Sequence, residues 1–233
     1  MCPTGVGVFA SGNHARFSDP VTRRIHAPIP PKMPFLALRV PTHQGEEPVI
    51  EAYPDFQAGH VLDLGCGPAD IPIRLLRALP TCRVTAVDAS EPMIRLATEA
   101  VKAAGLSDKI SLRCERFQAL SLDEPADATI SNSLAHHIPN PLQFWYRLKQ
   151  LTKPGGGVLV MDLLRPESPE AARAIVDQYA ANESPILQRD YYNSLLAAFT
   201  EDEIAAHLAE LNFSRLVIDV VDDRHWVVMG RVY

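Results

Sequence analysis

The sequence predicts an α/β protein: a doubly wound, seven-stranded, mostly parallel sheet with an antiparallel last strand and a helical insertion after the fifth strand. Three observations predict it. From Gly59 onward, short apolar runs alternate with stretches of helical spacing, the pattern of a parallel sheet covered by helices on both faces. The apolar run Val61–Leu64 passes straight into a G-x-G turn, Gly65-Cys66-Gly67, and then into a helix. Near the end, two apolar segments flank the polar tetrapeptide Asp222-Asp223-Arg224-His225, a hairpin signal.

Taken in order, His60–Leu64 reads as a strand and Asp70–Leu79 as a helix. Arg83–Val87 is a strand, followed by a helix over Glu91–Ala104 with Ser90 as N-cap and Pro92 in its first turn. Lys109–Cys114 and Ala126–Ile130 are strands joined by a short irregular stretch. Leu142–Leu151 is a helix and Gly157–Leu163 a strand. The crossovers should be right-handed. The alternation then breaks: Ser168–Ala181 and Pro185–Phe199 are both helical with no strand between them, so 166–199 is an insertion. Thr200–Leu211 follows, with Thr200 and Glu203 spaced as a capping box, then the strands Phe213–Val221 and Trp226–Val232.

The domain organisation expected is an arm over 1–58 and one domain over 59–233. Pro28, Pro30, Pro31, Pro34, Pro41, Pro48 and Pro54 interrupt the arm. Proline fixes φ and removes a donor, so no helix or central strand can run through them.

Composition excludes several classes. With 47% hydrophobic residues the chain can fill a core, and it is too apolar for a disordered protein. Lys+Arg is 22 against Asp+Glu 28, and only Arg23 and Arg24 are adjacent arginines, so binding to a nucleic-acid backbone is disfavoured. Cys2, Cys66, Cys82 and Cys114 are scattered, without C-x-x-C or Cys/His metal spacing. They read as free, mostly buried thiols in a reducing compartment, with no metal site expected. No run of 18 apolar residues and no secretory leader is visible, which points to a soluble, cytoplasmic protein with no membrane partner, as a monomer or homodimer.

The chemistry lies in Val61-Leu62-Asp63-Leu64-Gly65-Cys66-Gly67-Pro68-Ala69-Asp70. Glycines let the main chain bend sharply and approach a ligand, and free N–H groups at a helix start favour electron-rich atoms. About twenty residues on, Asp88 ends the second strand, where a carboxylate can take both hydroxyls of a ribose. Two details choose among nucleotide-type cofactors. The third glycine of the dinucleotide fingerprint is replaced by Asp70. An acid, Asp63, sits within the strand, where it would repel a pyrophosphate and attract an ammonium or sulfonium. A nicotinamide-dependent oxidoreductase is therefore disfavoured. The alternative for Asp63 is an acid that caps its own loop.

These residues resemble a class I methyltransferase dependent on S-adenosylmethionine. Glu115 falls where the family often carries G-D-A, Ala126 to His137 resembles the fourth-strand motif, and Lys153-Pro154-Gly155-Gly156-Gly157 resembles the turn before the fifth strand. The resemblance covers Gly59 to Tyr233. It implies S-adenosyl-L-methionine as cofactor, S-adenosyl-L-homocysteine as product, and a cofactor set of Asp63, Gly65, Cys66, Gly67, Asp88, Ala89, Met93, Glu115, Arg116, Phe117 and Asn132. Arg116 departs from the family pattern, Glu115 reads equally as a solvated loop residue, and Cys66 reads as a filler and not a nucleophile.

Placement suggests the acceptor side, because ligands bind outside the carboxyl ends of the strands in such a sheet. His136 and His137 follow the fourth strand, Asp162 to Arg165 end the fifth, and the Arg224-His225-Trp226 corner returns to the same rim. The insertion, with Asp190-Tyr191-Tyr192-Asn193, would roof the pocket. The catalytic candidates are His137, His136, Tyr191 and His225. Arg165, Tyr192, Asn193 and Arg224 would bind an acceptor, the arginines favouring a carboxylate or similar anion. The alternatives are a histidine that packs or caps its loop and an Arg165 that pairs with Asp162 or Glu167. Ser131-Asn132-Ser133-Leu134 replaces the D/N-P-P-Y/F of amide methylation, which leaves a small molecule as the leading acceptor, with oxygen, nitrogen and carbon all open. Transfer of another group from a modified sulfonium and a non-catalytic cofactor-binding role are the competing readings.

Overall fold

The computed structural model describes residues 56–233, together with the backbone of two short strands, β1 (Ala37–Arg39) and β2 (Val49–Glu51), which pair antiparallel. The rest of the expected arm lies outside the described residues. From there the order is β3 (His60–Leu64), α1 (Asp70–Ala78), β4 (Arg83–Asp88), α2 (Glu91–Ala103), β5 (Ile110–Cys114), β6 (Ala126–Asn132), a 3-10 turn at Ala135–His137, α3 (Pro141–Leu151) and β7 (Thr152–Leu163). Then come α4 (Pro169–Tyr179), α5 (Pro185–Ala197), α6 (Glu201–Glu210), β8 (Leu216–Val220) and β9 (His225–Arg231).

The sheet runs β5-β4-β3-β6-β7-β9-β8. The strands β3 to β7 are parallel, and β9 is antiparallel to both β7 and β8. The expected architecture is therefore present, hairpin and helical insertion included. The order reverses at β3, whose neighbours are β4 and β6, so the crevice for a ligand opens at the carboxyl ends of these three strands.

Alternating strand residues feed two cores. One face, under α1 and α2, packs Val61, Val84, Ala86 and Ile110 with Leu75, Leu76 and Ala97. The other, under α3 and α6, packs Leu62, Leu64, Val158, Val160 and Trp226 with Phe144, Trp145 and Ile204. A third cluster, Leu163, Ala172, Ile175, Val176, Leu195 and Ala198, belongs to the insertion.

Helix starts follow a shared rule. Ser90, Asn140, Ser168, Ser184 and Thr200 each accept a first-turn N–H, with proline in the first two positions of α2 to α5 and a complete capping box at α6. Among the described α-helices only α1 starts without a side-chain cap; its first residue follows Ala69, held left-handed at φ 66°.

Two local expectations need correction. β7 starts at Thr152, not Gly157, because 153–156 is absorbed as an irregularity against β6 and the Thr152 hydroxyl lies 2.7 Å from that of Thr129. Cys66 and Cys82 are free and buried, but Cys114, half-buried at the end of the edge strand β5, is disulfide-bonded. A cavity of about 710 Å³ opens beside His60, Arg83 and Lys109, at the amino ends of β3 to β5. That is the end opposite the glycine turn, so it takes no part in the site below. No helix among the described residues is long and apolar enough to cross a membrane.

Candidate active site

The site begins inside β3. Asp63 is 1% exposed, and its Oδ2 has no hydrogen-bond partner. Burial, with the charge of Asp88 added, pushes its carboxyl up to about 7. The chain then turns on Gly65 at φ 77° and Gly67 at φ 52°. A Cβ on Gly65 would stand 3.0 Å from that of Leu134, so only glycine lets the β6–α3 loop approach this closely. A Cβ on Gly67 would meet nothing within 4 Å, so the turn faces open space. Asp88, half-buried at the end of β4, accepts the Gly67 N–H on Oδ2 at 3.0 Å and the Ser90 N–H on Oδ1 at 2.7 Å. Each carboxylate oxygen keeps further lone-pair capacity.

The neighbouring residues divide. Cys66 is buried, and burial with the charges of Asp63 and Asp88 pushes its thiol far up, which fits a filler and not a nucleophile. Ala89 and Met93 are exposed beside and on the first turn of α2. The Glu115 N–H donates to the Asp88 carbonyl at 3.1 Å while its carboxylate pairs with Arg113 at 2.6 Å. Arg116 is exposed, and Phe117 lies in the core edge-on to Phe144. Asn132, half-buried at the end of β6, donates to the Ser133 hydroxyl at 3.3 Å.

Beyond β6 the 3-10 turn is fastened to β7 by Asp162. One carboxylate oxygen accepts the N–H groups of Ala135 at 2.5 Å and His136 at 3.4 Å. The other accepts the Leu163 N–H at 2.7 Å and His136 Nδ1–H at 2.5 Å. His136 is thereby buried and fixed. His137 stacks on it with ring centroids 3.9 Å apart and a tilt of 43°, more exposed to solvent. Burial and the His136 ring hold the pKa of His137 below the ordinary 6.5, so its imidazole is neutral at pH 7. Helix α5 packs beside this turn.

The hairpin reaches the same rim, since His225 pairs with Leu163 and the Leu164 N–H donates to the Arg224 carbonyl at 2.7 Å. His225 Nδ1 lies 2.9 Å from Asp222, whose own burial would raise its pKa but which the His225 and Arg224 N–H hydrogen bonds hold below the usual range.

A family profile described as a methyltransferase domain matches residues 61–156. That stretch of the chain is similar to a methyltransferase domain, in keeping with the resemblance its sequence shows. It is 30% identical over 145 residues to a ubiquinone biosynthesis O-methyltransferase of Rickettsia prowazekii, a match covering 62% of this chain and 56% of that one. It is 35% identical over 81 residues to a malonyl-[acyl-carrier protein] O-methyltransferase of Bacillus cytotoxicus, covering 35% and 27%. The chain thus spans about half of the first relative and about a quarter of the second. The plantazolicin methyltransferase BpumL, solved with S-adenosylhomocysteine, has the same fold at a TM-score of 0.58 and 14% identity, covering 75% of this chain and 77% of that one.

Within the matched stretch, two features fit a cationic cofactor: the orphaned, buried oxygen of Asp63 and the open cradle at Gly67. Asp70, in the place of the missing third glycine, is exposed and pairs with Arg74 along α1 at 3.1 Å. The expected convergence of arginines on an anion is not seen. Arg165 is held by Glu203 at 2.6 Å, not by Asp162 or Glu167, because the capping acid of α6 stands beside it. Arg224 is 6% exposed and paired with Asp223 at 3.0 Å. Tyr191 is half-buried in the insertion core, Tyr192 lies under Arg173 at 4.4 Å, and Asn193 is exposed. Sequence reasoning missed the hub role of Asp162; its one signal is an acid near the end of an otherwise apolar strand, Val158-Leu159-Val160-Met161-Asp162-Leu163.

Gly67→Ala is expected to cost only about 1 kcal/mol of stability, the left-handed penalty for a side chain that clashes with nothing. Its methyl group would occupy the cradle, and cofactor affinity should fall at least about tenfold, since close main-chain approach is what this glycine permits. Thermal melts and calorimetry separate the two effects.

Proposed function

We propose that this domain binds S-adenosylmethionine across the carboxyl ends of β3 and β4 and methylates an oxygen of a small or carrier-tethered acceptor held under the α4–α5 insertion. The observation that carries the reading is Asp63. A buried carboxylate oxygen without a partner is costly, and a cation is the ligand that completes it. When bound, the cofactor supplies a methyl group on a positively charged sulfur, open to in-line displacement.

The chain's own groups do the rest. Asp63 holds the ammonium end, the main chain at Gly65 to Gly67 lies against it, and Asp88 uses its remaining lone pairs for ribose hydroxyls. His137 accepts the acceptor's proton at a ring nitrogen, being neutral at pH 7. The Asp162–His136 pair fixes the ring on which it stacks. Enclosure by α5 keeps water from the reacting atoms. An oxygen acceptor is supported by the base and by the two curated relatives, both named O-methyltransferases.

The test is calorimetry with S-adenosylmethionine and S-adenosylhomocysteine at pH 8, followed by a metabolite screen with a methyl-labelled donor. Absence of binding by both compounds would sink the reading. With the acceptor so found, His137→Ala should lower kcat about 100-fold with cofactor affinity within about twofold. At saturating cofactor, the wild-type kcat should fall only below pH 6.5, where the imidazole takes a proton. An unchanged rate in that variant removes His137 as base.

A further inference from the structure

We infer that Arg224, Asp223 and Tyr179 form a latch that seats the α4–α5 insertion on the rim, which makes them positioning residues for acceptor binding. What the insertion covers rests on the function proposed above; the latch itself rests on contacts.

Arginine is rarely buried, and a hairpin turn needs none, yet Arg224 is 6% exposed on the turn between β8 and β9. Its guanidinium carbon lies 3.4 Å from the centroid of the Tyr179 ring, at the end of α4. Its Nη1 donates to Asp223 Oδ1 at 3.0 Å, and the Tyr179 hydroxyl donates to Asp223 Oδ2 at 3.0 Å. The triangle closes on itself. The turn is also held at its main chain: the Arg224 N–H donates to Asp222 at 2.9 Å, and its carbonyl accepts from Leu164, just before the insertion. Tyr191 of α5 stands within reach of the charges of Arg224, Asp223 and Asp222. Helix α4 therefore meets this turn through Tyr179, and α5 places Tyr191 within range of its charges.

A polar latch is needed there because apolar burial is thin. The insertion packs on its own small core, shared with the sheet through Leu163. Leu195 is the one buried residue of α5, while Ile186 and Leu187 are 63% and 54% exposed. An element with few buried contacts opens at low free energy, so a buried guanidinium, paired with the half-exposed Asp223 and stacked on an aromatic ring, sets how much of the time it is seated.

The test uses the full chain saturated with S-adenosylhomocysteine. In Tyr179→Phe and Arg224→Gln, amide hydrogen exchange across 169–197 should accelerate at least tenfold. Exchange in β3, β4 and β6, and the affinity for S-adenosylhomocysteine, should stay within twofold. In separate turnover assays with S-adenosylmethionine and the acceptor found by the labelled-donor screen, KM for that acceptor should rise about tenfold, with kcat changing less, and Arg224→Lys should recover part of both the exchange and the KM effects. Unchanged exchange over 169–197 in both variants overturns the latch, as does acceleration spread evenly over the sheet. If Arg224→Gln does not fold, Tyr179→Phe decides alone, since it keeps the ring and removes one hydroxyl. Failure of S-adenosylhomocysteine to bind the wild type would instead overturn the proposed function, and the exchange comparison would still decide the latch.

Discussion

Asp63→Asn is expected to weaken S-adenosylmethionine binding about 100-fold and, above pH 7, to make the empty protein more stable. Both effects come from one buried carboxylate. A charge-assisted contact in a dry site is worth about 1.5–3 kcal/mol, which is roughly a factor of 10 to 150 in affinity. For stability the sign runs against the usual carboxylate. The carboxyl titrates at about 7 in the fold against a starting value of 3.8. The folded state therefore holds its proton more tightly than the unfolded chain between these values, and stability falls as pH rises from about 4 to 7. At about 1.4 kcal/mol per unit the penalty approaches 4 kcal/mol and is constant above pH 7. The amide escapes ionisation but not its own unmet hydrogen bonds, so a net gain of about 1–3 kcal/mol at pH 8, vanishing near pH 4, is expected by urea unfolding. A cationic ligand favours the ionised carboxylate, so wild-type affinity should fall as pH drops below 7, approaching tenfold per unit, while the asparagine variant shows no such slope. A variant that binds as tightly as wild type at pH 8 would mean the cation is held elsewhere.

That prediction uses residues the sequence already displays, and the reason is geometric. An acid followed by G-x-G at a strand end, with a second acid at the end of the next strand, can meet only where adjacent parallel strands stop, so Asp63, Gly67 and Asp88 were legible together. The helices were legible because each start is written locally, as at Asn140-Pro141 or Ser184-Pro185. The acceptor side was not, because its contacts join segments far apart in the chain. Nothing near Arg165 announces that Glu203, thirty-eight residues on, will neutralise it. Nothing near Arg224 announces the ring of Tyr179. Two arginines at one rim read as an anion site until their carboxylates are placed beside them. Phe117 shows the same limit: an aromatic in the expected adenine segment is also what a core position asks for, and the core has it.

Asp162 is the extreme case of a residue whose role exists only in three dimensions, and Asp162→Ala should be among the most damaging substitutions in the domain. Its carboxylate, 1% exposed, is the acceptor for the N–H groups of Ala135, His136 and Leu163 and for the His136 ring. Removing it orphans several buried donors at once, and a loss of about 3–5 kcal/mol is expected in urea unfolding at pH 7.5. Asp162→Asn keeps the shape but turns an NH2 toward donors, so about 2–4 kcal/mol should go even without a cavity. The consequence for chemistry follows from where these donors sit. Freed of Asp162, the 3-10 turn no longer fixes His136, the ring on which His137 stacks loses its orientation, and kcat should fall further than in His137→Ala. Leu134, which faces Gly65 across the crevice, moves with that turn, so cofactor affinity should drop as well, a loss that His137→Ala does not produce. If Asp162→Asn instead retained full stability and lost only kcat, the carboxylate would be acting on the reaction itself through His136, and that buried imidazole, not His137, would be the proton acceptor.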